Sequence, residues 1–161
     1  MTDIRVDLVH VFIFRRTVDD PEFLQLLRTN KPAAATWQPV MGSIQTGETA
    51  VEAAQREVQE ETGLCLDDPA LLGIWSLEQA PPFFLHEQDL IIIGPRFAME
   101  VSSEWQPTLN CEHSESRWIG IYELEQRFTW PTHIVSCREI VESLLRPGSL
   151  SEVHLRVAKP E

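Results

Sequence analysis

Gly42-Ser43-Ile44-Gln45-Thr46-Gly47-Glu48-Thr49-Ala50-Val51-Glu52-Ala53-Ala54-Gln55-Arg56-Glu57-Val58-Gln59-Glu60-Glu61-Thr62-Gly63-Leu64 is the stretch from which the rest of the chain can be read. Thr49 is a helix-capping residue, and Glu52 follows three places later, which is the pattern of a capping box. From Ala50 to Thr62 there is neither Gly nor Pro, and strong helix formers dominate. Gly63 suits the left-handed residue that closes a helix. The spacing predicts a loop, then a helix of about three and a half turns at about 3.6 residues per turn, then a stop.

The expected helix has two adjoining faces. Val51, Ala54 and Val58 recur at apolar core spacing. Glu57, Glu60 and Glu61 lie about one turn apart, so their carboxylates converge beside that stripe. Like charges placed so destabilise an isolated helix. A hard divalent cation offsets the repulsion, because Mg2+ favours carboxylate and phosphate oxygens. Arg56, four residues from Glu60, can hold or orient a carboxylate. The carbonyl of Gly42 is open to close approach by a metal, because no side chain blocks it. Three Glu on a helix are most simply a solvated acidic face, but the context is more specific. The chain satisfies Gly-x5-Glu-x7-Arg-Glu-apolar-x-Glu-Glu-x-Gly-apolar at every fixed position from Gly42 to Leu64. From average residue usage, a chance match at one site is below roughly one in a hundred million.

This stretch resembles the Nudix box. The resemblance implies an α/β/α sandwich with a mixed β-sheet between helices. It also implies metal-dependent hydrolysis of a nucleoside diphosphate linked to another moiety. On that basis Glu57 and Glu61 are the leading metal ligands, Glu60 shares the site and the Gly42 carbonyl adds a ligand. The cofactor is Mg2+, with Mn2+ as an alternative. Glu57 is also the leading general base of the box. Arg56 and Glu48 are assigned to orienting the carboxylates, although Glu48 equally suits a structural role at the helix N-terminus, where negative charge is stabilised.

The chain has 161 residues, enough for one domain with a full core, so 1–161 is read as a single domain with a tail from about 147. The formal net charge of -12 makes a nucleic-acid duplex an unfavourable partner. It also means that a polyanionic substrate needs metal ions or a few placed Arg and Lys. Cys65, Cys111 and Cys137 are odd in number and lack Cys-x-x-Cys spacing, which reads as reduced thiols in a cytoplasmic protein. No stretch has the length of a membrane helix, and the N-terminus lacks a signal-peptide pattern. Oligomeric state is not legible.

Arg5 to Phe14 reads as a central strand, nearly continuous in apolar residues and so covered on both faces, with His10 as a packing histidine. Glu22 to Arg28 fits helix and strand alike, and the resemblance favours strand. Asn30 to Ala35 is a loop. Leu71 to Leu77 is a further strand. Gln79 to Phe84 reads as a mobile loop whose two Phe would be costly to expose without a use, the alternative being that both rings pack on the core rim. Leu90 to Met99 is a strand interrupted at Gly94-Pro95, and Val101 to Leu109 a loop. A short strand at Arg117 to Ile121 and a helix at Tyr122 to Phe128 follow. Pro131 to Leu145 is an amphipathic helix with Ile134, Cys137, Val141 and Leu144 on one face. A short strand is expected at Val153 to Val157.

A second resemblance concerns substrate. Glu-His-x4-Trp, from Glu112 to Trp118, is similar to a segment of the Nudix subfamily that cleaves dihydroneopterin triphosphate and dATP. Trp37-Gln38-x3-Gly42-Ser43 is similar to it as well, including the replacement of the usual Gly before the box Gly, here by Met41. The resemblance implies that Glu112 adds a metal ligand from outside the box. Arg28 and Arg5 occupy positions suited to triphosphate contact, which a surface Arg explains equally well. The expected reaction releases pyrophosphate from a small triphosphate. Dinucleoside polyphosphate or nucleotide-sugar cleavage is the alternative within the enzymes. A catalytically silent nucleotide-binding module is the alternative outside them. Silent modules usually lose box carboxylates, and here all three remain.

Overall fold

The computed structural model describes residues 1–31 and 34–157. The elements in chain order are β1 (Asp3–Arg5), β2 (Leu8–Arg15), β3 (Glu22–Arg28), β4 (Trp37–Gln38), β5 (Val40–Ser43), α1 (Ala50–Thr62), β6 (Leu71–Leu77), β7 (Phe83–Leu85), β8 (Leu90–Ile92), β9 (Arg96–Val101) and β10 (His113–Gly120). A 3-10 turn (Ile121–Glu123), α2 (Leu124–Arg127), α3 (Pro131–Glu139), a π turn (Ile140–Leu144) and α4 (Leu150–His154) complete it.

Strand β2 is the axis of the fold because both of its faces are apolar. Val9, Val11 and Ile13 pack with Ala53, Ala54 and Val58 of α1. Phe12 and Phe14 point the other way and pack with Trp75, Leu124, Cys137, Ile140 and Leu144. Successive residues of a strand face opposite sides, so a strand between two layers needs apolar residues at both parities. The outcome is the expected mixed α/β/α sandwich. Its seven-stranded sheet has the order β10-β3-β2-β9-β6, with β4 added to β3 and β5 to β2. The β2–β9 pair is parallel and the others are antiparallel. Along one edge β2 changes partner, pairing Leu8 to Val11 with β5 and Phe14 and Arg15 with β3. No helix among the described residues is long and apolar enough to cross a membrane.

Several elements differ from the sequence expectation. The run from Arg5 to Phe14 is divided between β1 and β2. The Asp7 carbonyl accepts the Ile44 N–H at 2.7 Å, and β1 turns away to lie parallel to β8 in a separate sheet of order β1-β8-β7. Glu22–Arg28, open between helix and strand, is a strand. The expected loop around Phe83 and Phe84 forms β7 instead, and the two rings part company. Phe83 packs edge-on to His10 with ring centroids 6.0 Å apart, while Phe84 is 56% exposed. The expected break at Gly94-Pro95 separates β8 from β9. A Cβ on Gly94 would stand 1.8 Å from the Leu8 carbonyl oxygen, so the backbone passes there only without a side chain. Strand β10 starts at His113, four residues before the expected Arg117, because its first residues pair with the end of β3. The helix expected from Pro131 to Leu145 is α only to Glu139 and then widens, with Leu145 N–H donating to Ile140 O at 2.8 Å.

The expected tail strand is instead α4, capped by Ser149, followed by a single antiparallel bridge between Trp75 and Arg156. Ser76 N–H donates to Leu155 O at 2.9 Å and Val157 N–H to Ile74 O at 2.8 Å, so this segment lies along the outer edge of β6. The Arg156 guanidinium stacks 4.6 Å from the Trp75 ring centroid. All three cysteines are free thiols.

His10 is fully buried, in keeping with a packing role, and its ring stands 5.5 Å from that of His133 on α3. Arg96 on β9 is buried beside them and donates to the Thr132 carbonyl and to Ser136 Oγ. Burial, reinforced by the Arg96 charge, lowers the His10 pKa to about 3. Burial, with His10 and Arg96, drives His133 well below its ordinary range. An unfolded histidine titrates near 6.5. Below that pH the unfolded chain binds protons that the folded chain excludes. The stability held by these neutral rings is therefore full above about pH 6.5 and is lost as the pH falls towards the folded pKa, by at most about 1.4 kcal/mol per pH unit for each ring. Thermal melts should show the wild-type midpoint falling between about pH 7 and pH 5, and falling less in His10→Leu. Parallel pH profiles for the two proteins would contradict this account.

Candidate active site

Helix α1 forms as its sequence demands. Thr49 Oγ1 accepts the Glu52 N–H at 3.2 Å, and the Glu52 carboxylate accepts the Thr49 N–H at 2.8 Å. Gly63 takes φ 76° and its N–H donates to Gln59 O. A capping side chain of this kind stabilises a helix by about 1 kcal/mol. With Ala53, Ala54 and Val58 buried against the sheet, the helix cannot rotate, and its carboxylates are fixed on the adjoining face.

Arg56 organises those carboxylates. Its Nε and Nη2 donate to the two oxygens of Glu48 at 2.8 and 2.9 Å, a bidentate pair. Its Nη1 donates to Glu57 Oε1 at 2.6 Å, and Nη2 also reaches the Ser43 carbonyl at 2.9 Å. Glu60, largely exposed, stands 3.5 Å away. Glu48 in turn accepts the Gln45 N–H at 2.9 Å. Glu48 thus bonds both the loop before the helix and Arg56.

Glu57 rests on the backbone of Gly42. A Cβ placed there would lie 1.8 Å from its carboxyl carbon and 2.0 Å from Oε1. Burial raises the Glu57 pKa, with Arg56 opposing. Glu61 is only 1% exposed, and its Oε2 has no hydrogen-bond partner among the described residues. Burial first, then the charges of Glu57 and Glu112, push its pKa up to about 9, against the pull of Arg28 and the Met41 amide.

The remaining residues come from the paired ends of β3 and β10, where Arg28 is the register partner of His113. Glu112 precedes His113 and lies 3.8 Å from the Arg28 guanidinium. The Glu112 backbone is pinned, with its carbonyl accepting the Thr29 N–H at 2.9 Å and its N–H donating to Asn110 Oδ1 at 3.0 Å. The Met41 backbone amide hydrogen-bonds the Glu61 carboxylate. Arg5 lies further out, engaged by Asp7 at 2.5 Å and Ser43 Oγ at 2.6 Å. His113, to which the sequence reading gave no role, is buried with its Nε2 4.0 Å from Glu61 Oε2. Burial, with Arg28, lowers its pKa to about 4, so the ring is neutral.

Among the described residues, no three His, Cys, Asp or Glu side chains are gathered as a metal ion would gather them. The donors nonetheless suit a hard divalent ion. They are carboxylate oxygens, one group buried with an unpartnered oxygen and another lying in the space that a Cβ on Gly42 would fill.

Residues 6–136 match the family model of the NUDIX domain. An RNA pyrophosphohydrolase of Legionella pneumophila (strain Corby) is 31% identical over 125 residues, covering 68% of this chain and 71% of that protein. Among solved structures, a protein described as a NUDIX hydrolase from Listeria monocytogenes superposes with a TM-score of 0.70 at 29% identity, covering 86% of this chain and 93% of that one. The E. coli dihydroneopterin triphosphate pyrophosphohydrolase superposes with a TM-score of 0.72 at 20% identity, covering 88% of this chain and 99% of that one. The chain belongs to the Nudix family of hydrolases. It is a pyrophosphohydrolase, acting on the phosphoric anhydride of a nucleotide-like compound.

Two outcomes follow from this geometry. Gly42→Ala should leave the fold intact, because the atom it meets is the end of a flexible side chain, yet displace the Glu57 carboxylate. Misplacement by about 1 Å can cost about a hundred-fold in rate, and pyrophosphate-release assays beside thermal melts check both halves. Glu61→Gln should raise the melting temperature in metal-free buffer. The folded pKa of Glu61 is raised to about 9, so its stabilising effect is complete below the unfolded value and is lost as pH rises through the folded one. The advantage of Gln should therefore grow from about pH 5 to pH 9, and a constant difference would contradict it.

Proposed function

We propose that the substrate is a small triphosphate, such as dihydroneopterin triphosphate or a deoxynucleoside triphosphate, cut to a monophosphate and pyrophosphate. The observation that carries this reading is the approach of Arg28 and Glu112, from the ends of two strands, to the carboxylates of α1. A chain of three phosphates presents charge over more length than one helix face can meet. A cation and a carboxylate on a second element suit that need. The resemblance around Trp37 and Glu112 supports the same substrate class.

In this reading Glu57 and Glu61 hold Mg2+, or Mn2+ in its place, with Glu60, Glu112 and the Gly42 carbonyl as further ligands. When bound, the ion supplies charge neutralisation on the phosphates and a more acidic water. Glu57 takes the proton of the attacking water. The Arg56 contact fixes its orientation for that transfer. Arg28 exchanges its loose contact with Glu112 for the phosphate oxygens, which a guanidinium binds in bidentate fashion. Glu48 keeps Arg56 from following the substrate.

The Legionella likeness favours a second reading, a triphosphate at the end of an RNA, which calls for the same bond cleavage. A substrate panel separates the readings. It comprises dihydroneopterin triphosphate, dATP, triphosphate-ended RNA, diadenosine tetraphosphate and ADP-ribose, with products identified. Pyrophosphate from a free triphosphate is the expected result. Turnover of diadenosine tetraphosphate or ADP-ribose alone would overturn the substrate class and leave the family intact. Glu57→Gln should lower turnover by about a hundred-fold or more. Glu112→Ala should need more Mg2+ for half-maximal rate while Glu115→Ala behaves as wild type, and coincident Mg2+ curves for the two would reduce Glu112 to a surface residue.

A further inference from the structure

We propose that His113 is a positioning residue for Glu61, its Nε2–H holding Glu61 Oε2 so that the other carboxylate oxygen is presented to the divalent ion. This rests on the assignment of Glu61 as a ligand. The side chains of His113 and Glu61 are 0% and 2% exposed, and their facing atoms are 4.0 Å apart. Neither atom has a hydrogen-bond partner among the described residues. A buried polar atom left unpaired costs about 1–3 kcal/mol. The gap exceeds hydrogen-bond range by about 1 Å, a distance that a small turn of the carboxylate closes, satisfying donor and acceptor together.

Both sides of the contact are tied down. His113 opens β10 in register with Arg28, and its N–H reaches the Asn110 carbonyl at 3.5 Å. Thr62, next to Glu61, accepts the Thr108 N–H at 2.8 Å, which fastens the end of α1 to the segment that leads to His113. The chemistry also selects a neutral donor. Arg28 already brings positive charge to Glu61, and a second cation would compete with a divalent ion for the same oxygen. A neutral imidazole N–H gives direction without that competition. Outer partners that hold a ligating group typically contribute ten- to hundred-fold in metal affinity.

Mn2+ binding to the whole chain without substrate, followed by calorimetry and by the electron paramagnetic resonance of free Mn2+, tests this directly. His113→Leu should raise the Kd for Mn2+ by about ten- to hundred-fold, while His113→Gln, which retains an N–H near the position of Nε2, should stay within about three-fold. On the wild-type protein, the ring 15N shifts of His113, assigned by their loss in His113→Gln, should show Nε2 carrying the proton once Mg2+ is added. This ring measurement decides the matter even if His113→Leu fails to fold. A proton on Nδ1 alone with Mg2+ present overturns the proposal. So does an unchanged Kd in His113→Leu when Glu61→Gln binds weakly. If Glu61→Gln binds Mn2+ as wild type does, the ligand assignment itself falls and the proposal falls with it.

Discussion

Arg56 carries the only positive charge on a helix that also bears Glu52, Glu57, Glu60 and Glu61. Repulsion on that scale would turn the carboxylates outward to water if nothing drew them back. The guanidinium draws them back by binding Glu48 through two bonds and Glu57 through a third, while a fourth reaches the Ser43 carbonyl at the end of β5. One planar group therefore joins strand, loop and helix. A lysine has the charge but not the planar fork, and its three N–H groups could not supply the bidentate grip on Glu48 together with the bonds to Glu57 and Ser43. The close approach of Glu57 to Gly42 is a consequence of this clamp.

The remainder of the site depends on the sheet. Residues more than eighty positions apart, Arg28 and His113, become neighbours because β3 and β10 pair in that register. The tryptophans of the two subfamily-like segments serve this pairing. Arg117 stacks 3.8 Å from the ring centroid of Trp37, and Arg15 4.2 Å from that of Trp118, which packs edge-on to Trp105. They brace the strands that carry Arg28, Glu112 and His113, and they leave the chemistry to short polar groups on rigid elements.

What the sequence disclosed follows the range of the forces involved. The cap at Thr49, the span of α1 and the stop at Gly63 are decided by residues within a turn of one another, and each lies where the pattern put it. The same holds for Leu71–Leu77, bounded on both sides by turn residues. The division of β1 from β2 was hidden, because Val6 continues an apolar run and only the bond from Ile44 to the Asp7 carbonyl reveals the turn. The tail misled for a related reason. Val153 to Val157 has strand-like residues, but Ser149 caps a helix there and the edge of β6 is occupied by one bridge only. In the site, the box pattern marked every α1 carboxylate. Glu112 and Arg28 were marked by a shorter likeness and by position, and His113 was overlooked although it sits inside the same segment. Its significance lies in two unpaired atoms across a tertiary contact, which no local pattern encodes.

The contact between residues 155–157 and β6 has a consequence for how the protein behaves in bulk. The stretch matching the NUDIX domain stops at residue 136, so the cover over this strand lies outside it. That cover includes two backbone bonds, a bond from Ser76 Oγ to the Leu155 carbonyl, one stacked arginine, a bond from the Trp75 indole to the Glu152 carbonyl, and the packing of Leu155 and Val157 on the core. It works like the hem of a cloth. Once it frays, β6 offers a row of unpaired backbone groups on which a neighbouring chain can knit a further strand. The strand exposed by such fraying stands at the opposite end of the sheet from β10.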